Sequence, residues 1–150
     1  MPKNKVVILL DGSEFRERIL PAVQRFLRPA ENELILFRVS DPVHGFHYHE
    51  GPVYVDVYDN EAEASKKAQL SEELQHDIQM LEAIGYPVAI EVRFGKTAEV
   101  VEDFIQREGV DLVAMTTHGR TGLRKLVQGS IAEHVLHHVS IPVLLLYAPD

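Results

Sequence analysis

The stretch that decides the fold is VDLVAMTTHGRTGLRKLVQGSIAEHV, residues 110–135. Its first eight residues form an apolar run that reads as a buried strand. The chain then opens at Gly119, Gly122 and Gly129, carries Arg120, Arg124 and Lys125, and has no acid until Glu133. Ser130 with Glu133 three residues on has the form of a helix-opening capping box. A strand that enters a helix through a glycine-broken loop is one half of a βαβ unit.

The same alternation extends outward. KVVILL (5–10) is a short apolar run closed by Asp11-Gly12, and Ser13 is placed to cap a helix over 14–27. Phe15, Ile19, Ala22, Val23, Phe26 and Leu27 fall on one face of that helix, and Pro21 inside it predicts a kink. ELILFRV (33–39) is a second strand. Residues 40–60, rich in Pro, Gly, His and Tyr, read as an irregular segment of lid or binding character, with VYVDVY as a short strand within it. Asn60 with Glu63 predicts the cap of one long helix. Its stripe is Leu70, Leu74, Ile78 and Leu81, and Gly85 ends it. VAIEVRF (88–94) alternates as a strand. Thr97 opens a helix that turns Val100, Val101, Phe104 and Ile105 inward, with Gly109 past its end. IPVLLLY (141–147) is the last strand.

Apolar strands alternating with amphipathic helices predict an α/β fold in one domain, 1–150. It is a doubly wound, five-stranded parallel sheet of order 3-2-1-4-5 with helices on both faces. Such sheets bind ligands beyond the carboxyl ends of their strands, where the strand order reverses. Asp11 ends strand one, Val39, Ser40 and Asp41 end strand two, and Met115 to Gly119 end strand four. All three groups converge on one crevice. Beyond the last glycine, the amides of Ile131 and Ala132 have no intrahelical partner and suit an anion.

Composition narrows the partners. In 150 residues, 45% are hydrophobic and 25% charged, the ordinary mix of a soluble domain. A net charge of -8 speaks against nucleic acid, whose phosphates are held mostly by Lys and Arg. The three loop cations would matter for a small polyphosphate. No cysteine is present, which excludes disulfides and thiolate metal sites. No apolar run is long enough for membrane insertion, and the start lacks a signal-peptide pattern, so a cytoplasmic protein is expected. His44, His47, His49 and Glu50 cluster, and His134 and His138 are an i,i+4 pair, but neither spacing suits a standard metal site. No catalytic residue stands out, because no base paired with an attacking water can be named.

On these residues the sequence resembles the universal stress protein family. The likeness rests on Asp11-Gly12-Ser13 after strand one, Val39 closing strand two, and MTTHGRTGLRKLVQGSIAEHV (115–135). The family's ATP-binding pattern is G-x2-G-x9-G-[S/T]. Gly119, Gly129 and Ser130 match it, while Thr116 stands where its first glycine falls. The resemblance implies ATP binding, with AMP or ADP as alternatives and Mg²⁺ carried on the phosphates. It implies Asp11 at the ribose or adenine edge, Val39 meeting adenine through its backbone, and Met115 and Thr116 lining the ribose. Gly119, Gly129, Ser130 and Ile131 would hold the phosphates, with Arg120 beside them. Ser130 serves as a cap alone or as a phosphate ligand too. The apolar last strand lies at a sheet edge that needs a cover, and the resemblance implies a homodimer through 141–147. Expected is a nucleotide-dependent regulatory module acting on an unidentified protein partner. The alternatives are a slow Mg-dependent ATPase or autophosphorylating enzyme, or a dimeric interaction module that has lost its nucleotide.

Overall fold

The structure is a computed structural model that describes residues 1–10, 13–42, 44–48, 54–58, 60–118 and 131–148. The five expected strands form one sheet. They are β1 (Asn4–Leu9), β2 (Asn32–Ser40), β5 (Val88–Phe94), β6 (Leu112–His118) and β7 (Val143–Ala148). Their order is β5-β2-β1-β6-β7 and every pairing is parallel, which is the expected 3-2-1-4-5 arrangement.

Helices α1 (Ser13–Phe26), α2 (Asn60–Glu73) and α3 (Gln75–Ile84) precede α4 (Thr97–Glu108), and α5 (Ile131–His138) follows β6. Alternation along each strand sends its residues to two separate cores. Val6, Ile8, Leu34 and Leu36 pack with Ile19 and Val23 of α1 and Ile78 and Leu81 of α3. Val7, Phe37, Val113 and Met115 pack with Val101, Phe104 and Ile105 of α4 and Val135 of α5. Burying each such side chain contributes about 1.5–3 kcal/mol. Both faces are covered, so the strands read as apolar runs rather than as alternating ones.

Four departures from the sequence reading have local causes. The segment after β2 holds the expected short strand, β4 (Tyr54–Tyr58), and also a second, unexpected one, β3 (His44–Tyr48), which pairs with it antiparallel, His44 opposite Tyr58 and Tyr48 opposite Tyr54. This hairpin joins no strand of the main sheet. The long helix is broken at Leu74, whose N–H donates to Ser71 O at 3.2 Å. Ser71 Oγ bonds back to Lys67 O at 2.8 Å, a contact that bends helices. The stripe Leu70, Leu74, Ile78 and Leu81 is nevertheless buried throughout. Phe26, expected inward, is 64% exposed with the Arg25 guanidinium over its ring, because the helix ends there and Leu27 takes the core position. Finally, Asn60 is the first residue of α2 rather than the residue before it. Across Pro21, α1 continues as one element with the proline on its exposed side. Among the described residues no helix is long and apolar enough to cross a membrane.

Two tight turns fix the bottom and the top of the sheet. Gly85 ends α3 at φ 114°, and the next residue, Tyr86, is 2% exposed with its hydroxyl donating to Leu27 O. Burial pushes the Tyr86 phenol above its ordinary 10.0. The unfolded chain therefore loses this proton first. Stability from Tyr86 is complete below pH 10 and should fall as pH rises beyond it. Urea unfolding across that range should show the loss, and Tyr86→Phe should flatten it. At the other end, Gly95 donates its N–H to Ser40 O at 3.1 Å and tops β5 at φ 140°. A Cβ there would lie 2.9 Å from a Val100 methyl. Gly95→Ala should cost roughly 1–3 kcal/mol, read as a lower urea midpoint.

Candidate functional site

The site is shaped by unequal strand lengths. β1 pairs with β2 up to Leu9–Phe37, and with β6 only up to Ile8–Ala114. β2 runs on to Ser40 and β6 to His118, each still paired with its outer neighbour. The middle strand thus stops short between two longer ones. The result is a notch at the carboxyl end of the sheet, two strand spacings or about 9.6 Å across.

The walls of this notch carry unused polar groups. Leu10 N–H donates to Phe37 O, so the Phe37 peptide faces β1, while Ser40 O faces β5. Alternation puts the Val39 N–H and C=O on the β1 side, above the last rung. Neither has a partner among the described residues. On the opposite wall, Thr116 follows Ala114 by two residues and lies on the α1 side of the sheet. Its Oγ1 is buried and has no hydrogen-bond partner among the described residues. Buried orphan oxygens are uncommon and ask for a cause.

The expected site residues therefore divide. Val39 and Thr116 lie on the two strands that flank the end of β1, the Val39 side chain on the α4 face and Thr116 on the α1 face. Met115 is 3% exposed within the core beneath α4 and α5, so only its backbone is free to meet a ligand. Ile131 is the first residue of α5, consistent with a helix that begins directly after Ser130. Asp41 is exposed just beyond β2. Asp11, Gly119, Arg120, Gly129 and Ser130 lie outside the described residues, as do His49 and Glu50.

Sequence reading missed one feature. Asn60, Glu63, Ala64 and Lys67 form a stripe on α2 that meets Val92 and Phe94 at the end of β5, around a cleft of about 400 Å³. Glu63 was expected to complete a cap. Its Oε1 is instead buried without a partner among the described residues. The available signal was the spacing itself: 60, 63, 64 and 67 share a helix face, and that face is polar where a sheet-facing stripe is normally apolar.

The histidines of the last helix have structural partners. His134 Nε2 lies 2.8 Å from Glu102 Oε2 and ties α5 to α4. His138 stacks on His134 at 4.0 Å between centroids and bonds its carbonyl through Nδ1. Among the described residues no three His, Cys, Asp or Glu side chains gather as a metal site would require.

Comparison with known proteins agrees with this architecture. Universal stress protein MJ0577 of Methanocaldococcus jannaschii is 28% identical over 151 residues, covering 95% of this chain and 93% of its own. The structure solved for MJ0577 superimposes with a TM-score of 0.65 at 25% identity, covering 98% and 97% of the two chains. A universal stress protein family structure from Burkholderia pseudomallei gives 0.66 at 23% identity, covering 97% and 96%. An Arabidopsis thaliana family protein with AMP bound gives 0.64 at 14% identity, covering 96% and 90%, and its likeness speaks to the fold alone. The profile of the universal stress protein family matches residues 3–146. With that match over nearly its whole length and the notch above β1, the chain belongs to the universal stress protein family.

Proposed function

We propose that this protein binds an adenine nucleotide in the notch above β1 and acts as a cytoplasmic, single-domain, dimeric regulatory module in a stress response. The observation that carries this reading is the pair of unused polar groups facing that notch. The Val39 peptide edge offers one donor and one acceptor side by side, the pattern that the amino edge of adenine complements. Thr116 Oγ1 stands opposite, buried and unpartnered, where a ribose hydroxyl would satisfy it. The glycine-rich segment and Ser130, together with the first amides of α5, would take the phosphates. ATP is the leading ligand and AMP or ADP the alternatives; the Arabidopsis family protein was solved with AMP bound. Mg²⁺ would ride on the phosphates near Asp11 and exposed Asp41. Any turnover would be weak.

Thr116 also separates this reading from its rival, an interaction module without nucleotide. An unpartnered buried hydroxyl destabilises the free protein by about 1–3 kcal/mol. Thr116→Val keeps the shape and removes the hydroxyl. It should raise the melting temperature of the free protein and weaken ATP binding severalfold. If Thr116 only fills space, the first effect should appear without the second. In the unaltered protein, ATP at 100 times its Kd should add about 2.7 kcal/mol, or roughly 5–10 °C in melting temperature. Gly129→Val should abolish that shift. No shift at millimolar ATP, with or without Mg²⁺, would favour the rival.

The dimer would form through the strand at 141–147. Val143 to Leu146 are all partly exposed on the outermost strand, with no pairing on its far side among the described residues. Such an edge asks for a partner. Val113 N–H bonds Pro142 O, so alternation puts the Leu145 N–H on the outward row. Sedimentation velocity should find twice the 17.0 kDa chain mass, and Leu145→Pro, which removes that donor, should shift the population to monomer.

A further inference from the structure

The cleft of about 400 Å³ between the first two turns of α2 and the end of β5 shares none of its lining residues with the notch above β1. Its chemistry is mixed. Glu63 brings a carboxylate whose Oε1 is buried and has no hydrogen-bond partner among the described residues. Lys67, one helical turn on, brings a cation. The other cation on the wall, Arg93, is engaged by Glu91 at 3.2 Å. Ala64, Val92 and Phe94 supply apolar surface.

Glu63 and Lys67 stand at i and i+4 with the acid on the N-terminal side, the arrangement in which such pairs form most readily on a solvated helix. Yet Lys67 does not take up the buried oxygen. A carboxylate only accepts hydrogen bonds and an ammonium only donates them. Together they disfavour ligands of a single sign. A plain amine would satisfy Glu63 and be repelled by Lys67, and a plain carboxylate or phosphate would meet the reverse. A small ligand with both charges a few atoms apart answers both groups at once.

We propose that this cleft binds a free α-amino acid with an apolar side chain. Glu63 accepts N–H bonds from its ammonium group, Lys67 donates to its carboxylate, and Ala64, Val92 and Phe94 receive its side chain. Oε1 comes to the ligand by rotation of the carboxylate about its last bond, a torsion with little preference, which exchanges the two oxygens. Both polar contacts are charge-assisted and therefore of the stronger kind.

The test is a calorimetric titration of the full chain with L-leucine and with L-phenylalanine at millimolar concentration. At least one should bind. Its deaminated acid and its decarboxylated amine should each bind tenfold or more weakly, the loss of one hydrogen bond to a charged group. This comparison uses the unaltered protein, so it stands however a variant folds. Glu63→Gln, nearly identical in shape but uncharged, should weaken the amino acid tenfold or more and should not weaken the deaminated acid. Binding of neither amino acid overturns the proposal. So does an acid or amine that binds as tightly as its parent, or an affinity that survives Glu63→Gln.

Discussion

Everything at the carboxyl end of this sheet follows from one constraint: β1 lies in the middle and is shorter than both neighbours. A central strand must satisfy its peptide groups on two sides and its side chains on two faces. Val6, Val7 and Ile8 do both, and they are fully or almost fully buried. Past the bond from Leu10 N–H to Phe37 O the central strand supplies no further rung among the described residues, yet β2 and β6 continue. Their inward peptide edges then have no partner among the described residues. In an ordinary core that would be a defect. Here it makes a slot with walls that are already rigid, since β2 is held from outside by β5 and β6 by β7.

The two orphaned oxygens fit the same logic. Each destabilises the free protein by an amount comparable with a tenth or more of a domain's net stability of about 5–15 kcal/mol. Neither sits in the middle of a core, where an apolar replacement would be simplest. Both lie toward the carboxyl end of the sheet, on one face. The polar stripe of α2 belongs to this pattern. Over its first two turns the helix leaves a cleft rather than closing on β5, and it reaches full burial only at Leu70 and then through α3. The hairpin inserted just before α2 comes from the same end of the sheet and pairs with no strand of it.

Much of this was legible in the residues. Strand positions, their order and the two helix-ending glycines at 85 and 109 followed from apolar runs, spacing and left-handed turns. The inward residues of α4 were read correctly for the same reason. What escaped reading depended on competition between neighbours. Phe26 and Leu27 are adjacent apolar residues at a helix end, and only the position of the end decides which is buried. The break at Leu74 came from a serine back-bond that no apolar pattern records. HGFHY resembles loop composition until YVDVY is laid against it in register.

The sequence by itself determined the α/β class, the parallel order of the sheet and the family, because each rests on periodicities and glycine positions that act over a few residues. The tertiary structure alone decided how far each strand runs past its neighbour, and hence that the Val39 edge and Thr116 hydroxyl have no partner among the described residues. It alone brought Glu63 of α2 to the end of β5, some thirty residues later in the chain. The physical reason is that a hydrogen bond left unmade is a property of two segments at once, and no single segment's pattern states what its partner fails to provide.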